Sequence, residues 1–95
     1  MKRRWGVQVE GRAASFAWRV LEQAPPERHV TLLPMDGGRW YLAAASKHDA
    51  EHIRWCILAY GRAYTGRVIP AGLVQVITGA QALRQGLRPP RGALS

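Results

Sequence analysis

The chain has one cysteine, Cys56, no asparagine, and no acidic residue beyond Glu51. A single cysteine excludes an intramolecular disulfide and favours a reducing compartment. The longest stretch without a charged residue, 68–83, is too short for a membrane-spanning helix and is interrupted by proline and glycine. These absences predict a cytoplasmic protein with no membrane partner, and no feature of the sequence requires a cofactor.

Positive charge is unevenly distributed along the 95 residues, which carry a formal net charge of +8. Residues 1–51 have a net charge of +2, whereas residues 52–95 contain six arginines and no acid. This excess favours nucleic acid or an acidic protein surface as the partner, although a GC-rich genome would also enrich arginine. The length suits one domain, which we expect to span residues 1–85 and to be followed by a flexible basic tail, residues 86–95.

Hydrophobic periodicity divides the chain into strands and helices. It predicts strands at 4–10, 29–33 and 39–45, a helix at 13–24, and a second helix that begins after the N-cap Ser46 and ends at Gly66. Residues 73–78 fit either a strand followed by a short helix at 80–85, or a helix opened by Pro70. The β-branched residues and Gly79 favour the strand.

The resulting order, β-α-β-β-α-β, predicts a small α+β domain of the ferredoxin-like type. In such a domain both helices cover one face of an antiparallel sheet. We expect the other face of the sheet to be open and available for binding.

Two short motifs suggest enzymes, and both lack necessary parts. His48 and His52 lie in an H-x-x-E-H pattern, typical of a helical zinc site, but no carboxylate follows Glu51 to complete the ligand set. Residues 11–19 resemble the phosphate-binding loop of acylphosphatases at Gly11, Arg12, Trp18 and Arg19. The central glycine of that loop is replaced, and the chain has no asparagine to position an attacking water. We therefore predict neither a metal site nor an enzyme.

Aromatic residues on the predicted strands suggest a nucleic-acid platform. Trp5 lies on the first strand and Trp40 and Tyr41 on the third, with Arg39 beside them. RNA-recognition domains stack bases on aromatics at these strands. Core packing is the alternative, because strand parity groups Trp5 and Trp40 with the apolar residues.

Trp18 and Trp55 fall outside the apolar stripes of their helices. Exposed tryptophans with nearby arginines are typical of binding surfaces, although a third layer of structure could cover them. The stripe of the second helix includes Tyr60, Tyr64 and Cys56, and we expect Cys56 to be an inert core thiol.

We therefore predict a non-enzymatic protein that binds nucleic acid or a nucleoprotein surface. The alternative is an inhibitor or adaptor that occludes a protein partner, similar to the small inhibitors of phages and mobile elements such as anti-CRISPR proteins. A homo-oligomer is left open. The predicted binding residues are Trp18, Arg19, Arg54, Trp55, Arg62, Arg67, Arg39, Arg3 and Arg4.

Overall fold

Four strands and three helices form the part of the chain that the computed structural model describes, residues 5–23 and 30–88. The strands are β1 (Trp5–Val9), β2 (Thr31–Pro34), β3 (Trp40–Ala44) and β4 (Val74–Thr78), and the helices are α1 (Ala13–Gln23), α2 (Lys47–Thr65) and α3 (Gly79–Arg84). The prediction of a small α+β domain is confirmed. Residues 74–78 are a strand, as their β-branched side chains indicated, and not part of a helix.

The strands form one antiparallel sheet in the order β2-β3-β1-β4. In the central strand β1, Val7 lies opposite Leu42 of β3 on one side and Val76 of β4 on the other. Because side chains alternate between the faces of a strand, the alternating apolar pattern of β1 directs Val7 and Val9 to the same face. Both are fully buried there.

Helices α1 and α2 pack on that face of the sheet. Ala17 of α1 and Ile57 of α2 are fully buried against the strands. The Ser46 hydroxyl accepts a hydrogen bond from the N–H of Asp49 and so caps the start of α2. The helix ends at Gly66, as predicted, and Gly66 has a left-handed conformation with φ of 71°.

The other face of the sheet is covered in part, and the expectation that it is open was wrong. Tyr41, Ala43 and Ile77 form a second buried cluster with Ala82 of α3, and Leu87 packs against it. The physical reason is the capping box at Thr78, which starts α3 at the residue after β4. With no loop between them, α3 lies directly against this face.

The segment after α3 is tied to the turn between β2 and β3. Arg39 donates a 2.6 Å hydrogen bond to the Gln85 carbonyl, and Arg88 forms a 2.6 Å ion pair with Asp36. Leu87 forms an isolated antiparallel bridge with Met35. The predicted tail begins at residue 86, and its residues 89–95 lie outside the described part of the chain.

None of the helices in the described ranges is both long enough and apolar enough to cross a bilayer.

Candidate nucleic-acid interface on helix α2

Tyr64, in the last turn of α2, is held by an arginine from α1. Its ring centre lies 4.9 Å from the guanidinium carbon of Arg19, and Nη1 of Arg19 donates a 3.4 Å hydrogen bond to the Tyr64 hydroxyl. The ring also stacks with Phe16 and Tyr60, at centroid separations of 6.2 and 6.3 Å. These contacts fix both the ring and the guanidinium.

The Tyr64 side chain is 57% exposed, so its assignment to the core stripe was wrong. The reason for this exposure is that α2 is longer than the strands it packs against. The 19 residues of α2 extend about 28 Å, whereas a strand of five residues covers about 17 Å. The buried residues of α2 end at Gly61, and the last turn projects beyond the sheet.

Two further arginines lie close to Tyr64 in the sequence, Arg62 in α2 and Arg67 just after its end. Arg62 and Arg67 are both exposed, and neither has a side-chain partner within the ranges 5–23 and 30–88. The hydroxyl of Thr65 donates to the Gly61 carbonyl and accepts from the N–H of Arg67, which fixes the backbone that carries Arg67. No acid follows Glu51 in the sequence, so the segment that carries these two arginines contains no negative side chain.

Trp55 lies on the outer side of the same helix and is 66% exposed. At 100° per residue, its position on α2 is about 20° from that of Arg62, two turns further along. One face of the indole stacks with His52 at a centroid separation of 6.3 Å and an interplanar angle of 17°. The outer face of α2 therefore presents an aromatic ring in line with a positive charge. Tyr64 is about 180° from Trp55 around the helix axis and lies on the α1 side of α2 with Arg19. We call Arg19, Trp55, Arg62, Tyr64 and Arg67 together the α2 surface, which therefore spans two sides of the helix.

Trp18 is not part of the α2 surface. It is 44% exposed, and its ring packs edge-on against Trp40 at 5.6 Å. On α1 its position is about 100° from that of Arg19 and about 160° from that of Phe16, the residues that contact α2. Trp18 and Trp55 therefore lie on opposite flanks of the two-helix layer.

The other predicted arginines have different positions. Arg54 is half-buried and its Nε donates a 3.0 Å hydrogen bond to the Val74 carbonyl of β4, so it ties α2 to the sheet. Arg39 holds the segment after α3, as described above. Arg3 and Arg4 lie outside the described residues.

The sheet does not present the aromatic residues expected of an RNA-recognition platform. Trp5 and Trp40 pack against the core on the helix-covered face, with the Lys47 amine 5.2 Å from the Trp5 ring centre. Tyr41 faces the other way and is 2% exposed. Burial raises the pKa of its hydroxyl to about 12. Core packing, the alternative for Trp5 and Trp40, is the arrangement found.

The residues of the two enzyme-like motifs lie at the start of α2 and in the turn between β1 and α1 together with the first turns of α1. His48 and His52 are exposed on α2, and no group of three His, Cys, Asp or Glu side chains within the described ranges could hold a metal ion. In the acylphosphatase-like loop, the N–H groups of Ala13 and Ala14 already donate to the carbonyls of Glu10 and Gly11. These two groups are not free to bind a phosphate.

Two features of the structure were not predicted from the sequence. The first is Tyr64, whose i, i+4 spacing from Tyr60 marks an aromatic pair but does not reveal the contact with Arg19. The second is Cys56, which is half-buried, lines a cavity, and has its Sγ 3.6 Å from Nε2 of His52. The i, i+4 spacing of His52 and Cys56 could have indicated this pair.

Comparisons with protein-family models, with curated proteins and with solved structures gave no match for this chain.

Proposed function

We propose that this is a non-enzymatic nucleic-acid-binding protein that contacts its ligand through the α2 surface. The observation that carries the proposal is the contact of Arg19 with Tyr64, on a helix end that also carries two exposed arginines with no acidic partner among residues 5–23 and 30–88. Arginine binds phosphate through a planar fork of N–H donors. A guanidinium already held against an aromatic ring loses less side-chain entropy when it binds phosphate.

Trp55 supplies the second element that such a ligand needs. Base stacking on an aromatic side chain contributes about 1–3 kcal/mol per base and tolerates any sequence. The exposed indole has one face against His52 and the rest of its surface turned outward. In this proposal, the arginines contact the backbone and Trp55 stacks on an unpaired base, so single-stranded nucleic acid is the preferred ligand.

The test is fluorescence anisotropy with single-stranded and double-stranded DNA and RNA over a range of salt concentrations. We expect affinity to fall steeply with salt, and the Arg62→Gln variant to lower the slope of log K against log salt by about 1. Arg84→Gln is the matched control, because Arg84 is exposed on α3 at the other face of the sheet. Equal losses in both variants would indicate diffuse charge attraction and contradict the proposed surface, as would an absence of binding at low salt.

The second candidate function is that of an inhibitor or adaptor that occludes a protein partner, of the kind phages and mobile elements encode. It is favoured by the exposed apolar side chains Trp55 and Val68, which are 66% and 74% exposed. Tryptophan and arginine dominate binding hot spots. A partner that survives nuclease treatment and is lost with Trp55→Ala would favour this function over nucleic-acid binding.

Three further parts of the proposal concern the molecule as a whole. The strand order β2-β3-β1-β4 and the two helices on one face support a ferredoxin-like fold with α3 added to the other face. An experimental structure would test this assignment. The single cysteine supports a cytoplasmic location, and a homo-oligomer remains an alternative that light scattering would detect.

A further inference from the structure

A cavity of about 210 Å³ lies between α1, α2 and the end of β3. Its inner wall is apolar and consists of the buried side chains of Val20, Ala44 and Ile53. Gln23 and His52, also among its lining residues, are exposed, so within the described structure the cavity opens to solvent on their side. It adjoins the α2 surface at two of its lining residues, because His52 stacks on Trp55 and Tyr60 stacks on Tyr64.

One wall of the cavity carries polar groups that are suited to hydrogen bonding. Cys56 and Tyr60 are half-buried there, and Sγ of Cys56 lies 3.6 Å from Nε2 of His52. Burial raises the pKa of the Cys56 thiol, so the thiol stays protonated at neutral pH. Asp49 also lines the cavity. This wall offers uncharged donors and acceptors, whereas the apolar inner wall disfavours a charged occupant, because burying an unpaired charge is costly.

We propose that this cavity is a binding site for a small uncharged molecule that has one aromatic ring, or an aliphatic body of that size, and a single hydroxyl group. The size fits, because an apolar protein cavity of about 150 Å³ accommodates benzene. The ring would lie against Val20, Ala44 and Ile53, and the hydroxyl would face His52 and Tyr60. Ligand sites commonly combine an apolar lining with a few convergent polar groups in this way.

The single cysteine of the chain gives a direct test, because every thiol label reports on Cys56. Phenol is the probe, and the measurement is the rate at which iodoacetamide alkylates the folded protein. An occupant of the cavity covers the thiol, so phenol at ten times its dissociation constant is expected to slow alkylation about ten-fold, with saturation. Benzoate has the same ring with a negative charge and is expected to leave the rate unchanged.

Two variants locate the effect. Ala45→Leu enlarges a side chain that lines the cavity, and it is expected to weaken protection by phenol about five-fold or more. Ala59→Leu adds the same volume at an exposed position of α2 that does not line the cavity, and it is expected to retain full protection. An absence of saturable protection by phenol would overturn the proposal, as would equal protection by benzoate or equal loss in the two variants.

Discussion

Arg19 and Tyr64 are 45 residues apart in the sequence, and the guanidinium of one lies 4.9 Å from the ring centre of the other. The pair joins the middle of α1 to the last turn of α2, which projects beyond the sheet. Its hydroxyl hydrogen bond is long, at 3.4 Å, so the ring face is the stronger part of the contact. Tyr64 therefore acts as a positioning residue for Arg19 in the proposed interface.

Two substitutions of Tyr64 test the contributions of its ring and its hydroxyl separately. Tyr64→Phe keeps the ring under Arg19, and we expect its affinity for a single-stranded oligonucleotide to stay within about two-fold of the parent. Tyr64→Leu removes a cation–π contact of about 0.5–1 kcal/mol, and a roughly three-fold loss is expected. Anisotropy titrations measure both affinities, and urea unfolding checks that the variants remain folded. If Tyr64→Leu binds as tightly as Tyr64→Phe, Arg19 is not positioned by the ring.

The two exposed tryptophans are expected to respond in opposite ways. Trp55→Ala should change the free energy of unfolding by less than about 0.5 kcal/mol, because the side chain is 66% exposed. The same change should weaken oligonucleotide binding about ten-fold through lost stacking.

Trp18→Ala is the comparison for that experiment. The Trp18 ring packs edge-on against Trp40, so its loss should cost about 1 kcal/mol of stability and leave binding unchanged. Urea unfolding and anisotropy on the same samples measure both quantities. A loss of affinity in Trp18→Ala equal to that in Trp55→Ala would contradict the assignment of the interface to α2.

Arg54 and Arg62, two turns apart on α2, have different roles. Arg54→Gln removes the 3.0 Å hydrogen bond to the Val74 carbonyl, and we expect the free energy of unfolding to fall by about 1 kcal/mol. Arg62→Gln removes only an exposed charge and should stay within about 0.5 kcal/mol of the parent. Urea unfolding of the two variants measures the difference. Equal stabilities would mean that the bond to β4 contributes nothing.

Local patterns predicted most of the elements. The alternation around Val7, the cap at Ser46 and the end of α2 at Gly66 each depend on neighbours in sequence, and each is found in the structure. The face that α3 covers and the exposure of Tyr64 depend on where distant elements lie and how far α2 extends. The residue spacing within a single helix or strand does not predict how far apart distant elements lie.

The same distinction applies to the predicted arginines. Arg62 was predicted to be a binding residue, and its side chain is exposed. From the sequence, Arg54 and Arg39 were as suitable for ligand binding as Arg62. In the structure, both donate hydrogen bonds to backbone carbonyls of other elements. Every residue has a backbone carbonyl, whatever its side chain. The sequence therefore could not distinguish arginines that donate to a carbonyl from arginines that are exposed.

Gly6 is required by the close approach of β1 to β3. A Cβ at this position would overlap Cζ of Tyr41 and lie 2.5 Å from the carbonyl oxygen of Leu42. The backbone oxygen cannot move without disturbing the sheet, so Gly6→Ala should lower the free energy of unfolding by about 2 kcal/mol. Gly72→Ala is the control, because a Cβ there meets nothing within 4 Å. Similar urea midpoints for the two variants would refute this account of Gly6.

Tyr41 makes stability depend on pH in the alkaline range. Its hydroxyl oxygen is buried with no hydrogen-bond partner in the described structure, and burial raises its pKa from 10.0 to about 12. The unfolded chain therefore loses the phenolic proton at lower pH than the folded chain does. This contribution to stability is fully present below pH 10, and it is lost as the pH rises through about 12.

By pH 11.5 we expect Tyr41 to have lowered the free energy of unfolding by about 2 kcal/mol relative to pH 9. Urea unfolding between pH 9 and 11.5 measures this loss of stability. In the Tyr41→Phe variant, the loss should be smaller by about 2 kcal/mol. Tyr64→Phe removes an exposed tyrosine instead and should decline as steeply as the parent. Below pH 10, Tyr41→Phe should be at least as stable as the parent, because it removes a buried hydroxyl that has no partner. Parallel pH profiles for the two variants would show that the Tyr41 hydroxyl is hydrated in solution.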